Sequence, residues 1–174
     1  MDRSDARTLL VLRHAKAETP WGMPDRERGL TETGHEQARA VGEYLKQHGL
    51  VPDGAVVSDA RRTRATYAWI ASVLGEDAPS AYLDTRLYEA GAAQLISVIN
   101  ETEPAVRTLI VVGHLPAVQD AVLRLASADS SEEAVWEAGS GYPPAGLAVF
   151  SVPGEWAELD GRDATLTRFV TPGR

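Results

Sequence analysis

Two short, unbroken apolar runs, Thr8-Leu9-Leu10-Val11-Leu12 and Thr108-Leu109-Ile110-Val111-Val112, constrain this chain more than any other feature. Neither is long enough for a helix. Their aliphatic and β-branched side chains lack the alternation of a half-exposed strand, so each predicts a strand buried on both faces. A sheet built from such strands needs helices above and below it. The intervening segments supply them. Thr31 is placed to cap a helix over 31–47, with Ala38, Val41 and Leu45 on one face and Gly49 as its stop. A second strand over 54–57 leads into a helix over 61–74, where Thr66, Trp69, Ile70, Val73 and Leu74 keep helical spacing before Gly75. A weak strand over 81–83 precedes a helix over 92–102 that turns Leu95, Ile96 and Ile99 inward and ends by Pro104. Beyond 108–112, Pro116 fits the first turn of a fourth helix striped by Val118, Ala121, Val122 and Leu125.

Four successive strand–helix units predict an α/β fold, a three-layer α/β/α sandwich on a mostly parallel central sheet, with 8–12 as the central strand. The polar, Gly/Pro-rich stretch 127–144 shows little periodicity and is expected to be a long mobile connection. Segments 145–152 and 165–170 form a closing strand pair. No repeat or linker divides the sequence, so one domain over residues 1–174 is expected.

Composition narrows the function classes. At 174 residues, 44% apolar and 24% charged, the chain is long enough for a sizeable core. A formal charge of −8 repels a nucleic-acid backbone or an anionic membrane, so neither is an expected partner. The absence of cysteine excludes thiolate zinc sites, iron–sulfur clusters, thiol nucleophiles and disulfides. Met1-Asp2-Arg3-Ser4-Asp5-Ala6-Arg7 has no signal-type apolar core, and no later run approaches the roughly 18 apolar residues that span a bilayer, so a cytoplasmic protein is expected.

In open α/β sheets, sites form where loops leave the carboxyl ends of parallel strands. Here those exits carry Arg13-His14, then Ser58-Asp59-Ala60-Arg61-Arg62, then Arg86-Leu87-Tyr88-Glu89, then Gly113-His114. His35 and His48 instead fall near helix ends and are expected to be structural. Histidine with arginine, and no acidic cluster beside either histidine, makes a poor metal site and a good phosphate site, because guanidinium forks grip phosphoryl oxygens. No metal and no cofactor are expected. A neutral histidine held in one tautomer can attack phosphorus itself, and neighbouring arginines disfavour its imidazolium.

These residues resemble those of the histidine phosphatase (phosphoglycerate mutase-like) superfamily, and within it the small SixA-like phosphohistidine phosphatase branch. Leu10-Val11-Leu12-Arg13-His14-Ala15 is similar to that branch's Arg-His-Gly or Arg-His-Ala signature, Arg28-Gly29-Leu30-Thr31-Glu32-Thr33-Gly34 to its Arg-x-Leu-Thr-x-x-Gly segment, Arg62-Thr63-Arg64-Ala65-Thr66 to its Arg-x-x-x-Thr element, and Val112-Gly113-His114-Leu115-Pro116 to its second histidine motif. The resemblance implies a phosphoglycerate mutase-like fold, His14 as phosphate acceptor, and Arg13, Arg62 and His114 as phosphoryl ligands, with Arg28 a further substrate-binding candidate. Glu89 matches the position of the proton donor in many members. A phosphohistidine leaves as an imidazole and needs such a donor less than an ester does. Tyr142-Pro143-Pro144-Ala145-Gly146 and Phe169-Val170-Thr171-Pro172 also resemble late segments of the branch.

Departures from the pattern centre on Val57-Ser58-Asp59, which replaces Ser-Ser-Pro. Asp59 brings a negative charge to a phosphate pocket unless it pairs with Arg61 or points away. Arg61 and Arg64 are expected at the surface, and Trp21 is expected to cover an edge of the core. The implied activity is two-step phosphoryl transfer, from substrate to His14 and then to water, without metal. The implied substrate is phosphohistidine on a protein such as a phosphotransfer domain, since the chain lacks the insertions that cap longer relatives. A phosphatase of small esters such as sugar phosphates or nucleotides, and a non-catalytic phosphate-binding module, are the alternatives.

Overall fold

A computed structural model describes residues 5–174, in which β1 (Arg7–Arg13), α1 (Glu32–Gln47), β2 (Gly54–Ser58), α2 (Arg61–Leu74), β3 (Ala81–Asp84), α3 (Ala92–Asn100), β4 (Thr108–Gly113), α4 (Ala117–Leu125), α5 (Glu132–Ser140), β5 (Leu147–Val152) and β6 (Thr165–Val170) follow in order. The part of the N-terminal expectation that falls on residues 1–4 lies outside the described residues. All six strands join one sheet in the order β3-β2-β4-β1-β5-β6. The pairs β3/β2, β2/β4 and β4/β1 are parallel, whereas β1/β5 and β5/β6 are antiparallel. The sheet is therefore mostly parallel, with β4 and β1 at its centre and the closing pair on one edge.

The two apolar runs behave as doubly covered strands should. Leu9, Val11, Leu109 and Val111 pack with residues of α3, α4 and α5. Their neighbours Leu10, Leu12, Ile110 and Val112 pack on the opposite face against α1 and α2. All eight side chains are buried, and each fully buried aliphatic contributes about 2 kcal/mol of transfer free energy. The pairing register sets Leu12 opposite Val112 and Arg13 opposite Gly113. The two strands thus end at the same level.

Helix ends follow local chemistry. Thr31 Oγ1 accepts the Gly34 N–H at 3.0 Å, capping α1. Gly49 (φ 64°) and Gly75 (φ 67°) supply the left-handed residues that stop α1 and α2. Gly34 also has to be glycine for space, since a Cβ there would lie 2.1 Å from the Lys16 carbonyl oxygen of the β1–α1 loop. Helix α3 ends at Asn100, two residues before the expected boundary, and the Asn100 Nδ2 donates to the Trp156 and Leu159 carbonyls at 2.8 and 2.9 Å.

The stretch 127–144 is not the mobile connection its composition predicts. It contains α5, capped where Ser131 Oγ accepts the Ala134 N–H at 3.2 Å. Its buried residues are Ala134 and Ala138, with Val135 partly buried beside them, so the apolar stripe is too small to register as periodicity. Among the described residues no helix is long and apolar enough to cross a membrane.

Helices α1 and α2 approach closely at Gly42, where a Cβ would meet Val73 Cβ at 2.9 Å and the backbone Ile70 Cα at 3.2 Å. Gly42→Ala should lower stability by about 1–3 kcal/mol despite alanine's better helix propensity, because the two helices must part. Urea denaturation checks this: a lower midpoint at unchanged slope is expected.

Candidate active site

The β1/β4 ladder continues one residue past the strands, with the His14 N–H donating to the Gly113 carbonyl at 3.1 Å. His14 and His114 therefore stand side by side, their ring centroids 5.3 Å apart. Both are buried. His14 Nδ1 lies 2.7 Å from the Ala15 carbonyl oxygen. A carbonyl only accepts, so Nδ1 carries the ring proton and Nε2 keeps its lone pair. The Ala15 N–H donates to Thr66 Oγ1 at 3.0 Å, and that hydroxyl donates to the Arg62 carbonyl at 2.7 Å, tying the histidine loop to the first turn of α2.

Burial is the main force on the two rings. It pushes the His14 pKa down to about 3, opposed by the Ala15 hydrogen bond and reinforced by His114, Arg62 and Arg13. Burial likewise lowers that of His114 to about 4, with Arg62 adding to the effect. His114 Nε2 sits 2.8 Å from Ser58 Oγ at the end of β2. When Ser58 donates, the ring proton resides on Nδ1.

Two arginines complete the centre. Arg13 Nη1 donates to the Tyr142 carbonyl at 2.8 Å, and the Tyr142 hydroxyl is itself anchored on the Val11 carbonyl at 2.7 Å. Arg62, only 5% exposed, points both terminal nitrogens at Asp25 of the β1–α1 loop, Nη1 to the carbonyl oxygen at 2.8 Å and Nη2 to Oδ2 at 3.0 Å. Arg13 Nε, Arg62 Nε and His114 Nδ1 are buried without a hydrogen-bond partner among the described residues. Orphaned donors of this kind are rare in folded proteins. All three belong to residues whose charges act on His14, and with Ser58 donating to His114 they match an anion with several acceptor oxygens.

The expected residues do not all converge. Arg28 donates from Nε to Asp25 Oδ1 at 3.0 Å and from Nη1 to the Glu18 carbonyl at 2.9 Å, with no hydrogen bond to either histidine. Glu89 is exposed, forms no hydrogen bond or ion pair among the described residues, and adopts φ 59°. Asp59 pairs with Arg26 at 2.7 Å rather than with Arg61, and its charge still reaches His114, where it opposes the lowering by burial and Arg62. Arg61 and Arg64 are exposed, as expected. Trp21 covers no part of the core: it is fully solvent-exposed, because the loop that carries it packs through Asp25 and Arg28 instead.

Sequence reasoning gave no role to Asp25, Ser58 or Tyr88. The Tyr88 hydroxyl donates to the Asp25 carboxylate, and its ring stands edge-on to His114 with centroids 5.6 Å apart. The Arg26 guanidinium lies 4.2 Å from the Tyr88 ring centroid. The hydrogen bond from Tyr88, then those from Arg28 and Arg62, hold the Asp25 carboxyl well below the usual carboxylate range. The Asp25-x-x-Arg28 spacing was the available signal. Among the described residues no group of three or more His, Cys, Asp or Glu is placed to hold a metal ion.

The sequence model of the histidine phosphatase superfamily (branch 1) matches residues 9–124. An uncharacterised Mycobacterium tuberculosis protein, Rv1276c, is 36% identical over 162 residues, covering 92% of this chain and 99% of its own length. The structure of a proposed phosphohistidine phosphatase SixA from Nakamurella multipartitia superposes with a TM-score of 0.84 at 30% identity, covering 95% of both chains. Another proposed SixA, from Agrobacterium tumefaciens, gives a TM-score of 0.76 at 25% identity over 94% of this chain and 97% of its own.

The lowered histidine pKa values have a measurable consequence. An unfolded histidine takes up a proton near pH 6.5, whereas folded His14 does so only near 3 and His114 near 4. Between those limits the unfolded chain binds more protons, so stability rises with pH across the window and falls on acidification. His14→Gln removes one such site. Its stability difference from the wild type should shrink from pH 7 to pH 5 in urea titrations, and the His14 and His114 ring carbons should keep neutral NMR shifts at pH 5.

Proposed function

The chain belongs to the histidine phosphatase superfamily (branch 1), and from that premise we propose that it is a cytoplasmic, metal-independent phosphatase that forms a phosphohistidine on His14 and acts on phosphohistidine carried by a protein such as a phosphotransfer domain. The observation that carries the reading is the free Nε2 of a neutral His14 in the field of Arg13, Arg62 and His114, each of which has a buried nitrogen without a partner among the described residues. In the first step Nε2 attacks phosphorus in line, and the bond from phosphorus to the substrate nitrogen breaks. The departing imidazole keeps that electron pair and leaves neutral when its other nitrogen carries a proton. Arg13, Arg62 and His114 hold the equatorial oxygens, where the transition state spreads its charge. In the second step water attacks phosphorus and His14 leaves, its Nδ1–H still bonded to Ala15. The products are inorganic phosphate and neutral histidine. Similarity to the two SixA structures supports phosphohistidine as substrate.

Glu89 enters only when the leaving group is an alkoxide or phenoxide. Its left-handed backbone, beside the Tyr88 that packs on His114, costs a non-glycine residue about 1 kcal/mol, a strain that clusters at functional sites. Glu89→Gln should slow ester hydrolysis by roughly a hundredfold and phosphohistidine hydrolysis far less.

The deciding experiment compares phosphate release from a phosphohistidine-bearing phosphotransfer domain and from an aryl phosphate, with chelator present, for the wild type and His14→Ala. A strong preference for the protein substrate, lost in His14→Ala, is expected. Release from the aryl phosphate alone would make the protein a small-ester phosphatase. Phosphate binding without any labelling of His14 would make it a non-catalytic binding module.

A further inference from the structure

We propose that Asp25 is the positioning residue for Arg62: its carboxylate and its own carbonyl oxygen take the end of the guanidinium and so aim the remaining Nε–Nη2 edge at the phosphoryl group. This rests on the reading of Arg62 as a phosphoryl ligand. A guanidinium carries five N–H donors in one plane. With Nη1 on the Asp25 carbonyl at 2.8 Å and Nη2 on Oδ2 at 3.0 Å, the end edge is filled. Besides the second Nη1–H, what stays open is the side edge, formed by the second Nη2–H and the Nε–H that finds no partner among the described residues. That edge is the bidentate fork suited to two phosphoryl oxygens. Rotation of the guanidinium about its stem would misalign the fork, and Asp25 blocks it with two acceptors on one residue.

Asp25 is itself fixed from two further directions. Arg28 Nε holds Oδ1 at 3.0 Å, and the Tyr88 hydroxyl shares Oδ2 with Arg62. The arrangement links three chain segments: the β1–α1 loop, the start of α2, and the turn before α3. Arg28, which the sequence places among substrate-binding candidates, thereby acts on Arg62 through Asp25. Proton donation is not the role of this carboxyl, because its hydrogen bonds from Tyr88, Arg28 and Arg62 keep it ionised. Nor is stability its main contribution. The Asp25 side chain is 51% exposed, and pairs involving such a carboxylate contribute little to folding.

Orthovanadate, an oxyanion that takes the geometry of a transferring phosphoryl group, provides a probe independent of turnover. The experiment measures its Kd by calorimetry, kcat and KM on an aryl phosphate, and Tm, for the wild type, Asp25→Asn, Asp25→Glu and Tyr88→Phe. Asp25→Asn should weaken vanadate binding and lower kcat together, each by roughly tenfold to a hundredfold, the range a misplaced catalytic group produces. KM and Tm should move little, Tyr88→Phe should fall between, and Asp25→Glu should recover part of the loss. The sign is informative, because deleting a negative charge beside an anion site would by electrostatics alone tighten binding. Tighter vanadate binding in Asp25→Asn would make Asp25 a plug that phosphate displaces, and overturn the proposal. A lower Tm with unchanged Kd and kcat would reduce Asp25 to a structural pair, with the same result. Absence of turnover in the wild type would defeat the phosphatase reading, while the vanadate titration would still decide the role of Asp25.

Discussion

The parallel pairing of β1 with β4 is the constraint on which the rest of the site depends. It aligns Arg13 with Gly113, so the residues that follow, His14 and His114, emerge together though a hundred positions apart in sequence. The strand ends are pinned chemically. Arg7 at the start of β1 binds the Pro104 and Gly154 carbonyls and Glu155, and Arg13 at its end binds the Tyr142 carbonyl. Slipping the register by one residue would carry one of these cations into the apolar ladder between them, and an unpaired buried charge costs far more than a lost hydrogen bond. The apolar runs therefore fix the sheet, and the arginines that bound them fix where its edge falls.

At that edge the difficulty is to concentrate cations without protonating the nucleophile or collapsing the pocket. Burial accomplishes the first, holding both histidines neutral before any arginine acts. Two carboxylates accomplish the second: Asp59 takes Arg26, and Asp25 takes both Arg62 and Arg28. A chain of formal charge −8 thus keeps a locally basic centre, because Asp59 and Asp25 are paired with arginines and Glu89 is turned out to solvent. The local field, not the net charge, governs whether a phosphoryl group is drawn in.

What the sequence showed and what it hid divide along one line. Features carried by periodicity or by strand ends were legible: the two central strands, the bounds of α2 at 61 and 74, the cap at Thr31, and both histidines. Helix α5 was hidden because its buried face is two alanines within a polar run. Asp25 was hidden for a different reason. It stands in an aperiodic loop, and its importance comes from contacts with Arg62 and Tyr88, 37 and 63 residues away, which no local pattern encodes. Arg28 was legible as part of a motif yet not as a neighbour of Asp25, since a motif names residues without saying which way they face.

The burial that keeps His14 a base also makes the pocket responsive to its ligand. A desolvated imidazole with a pKa near 4 is sensitive to any charge placed beside it, because little water screens the interaction. An arriving phosphoryl dianion opposes the lowering that Arg62 and burial impose on His114, favouring the form in which Nδ1 carries a proton and donates. His14 feels the same pull, but once its Nε2 is bonded to phosphorus it has no lone pair left to protonate. In the proposed reaction, the two rings begin with similar environments and are driven apart by the substrate, one to nucleophile and the other to donor. The geometry that decides which is which is a single backbone carbonyl, that of Ala15, holding the His14 proton on Nδ1.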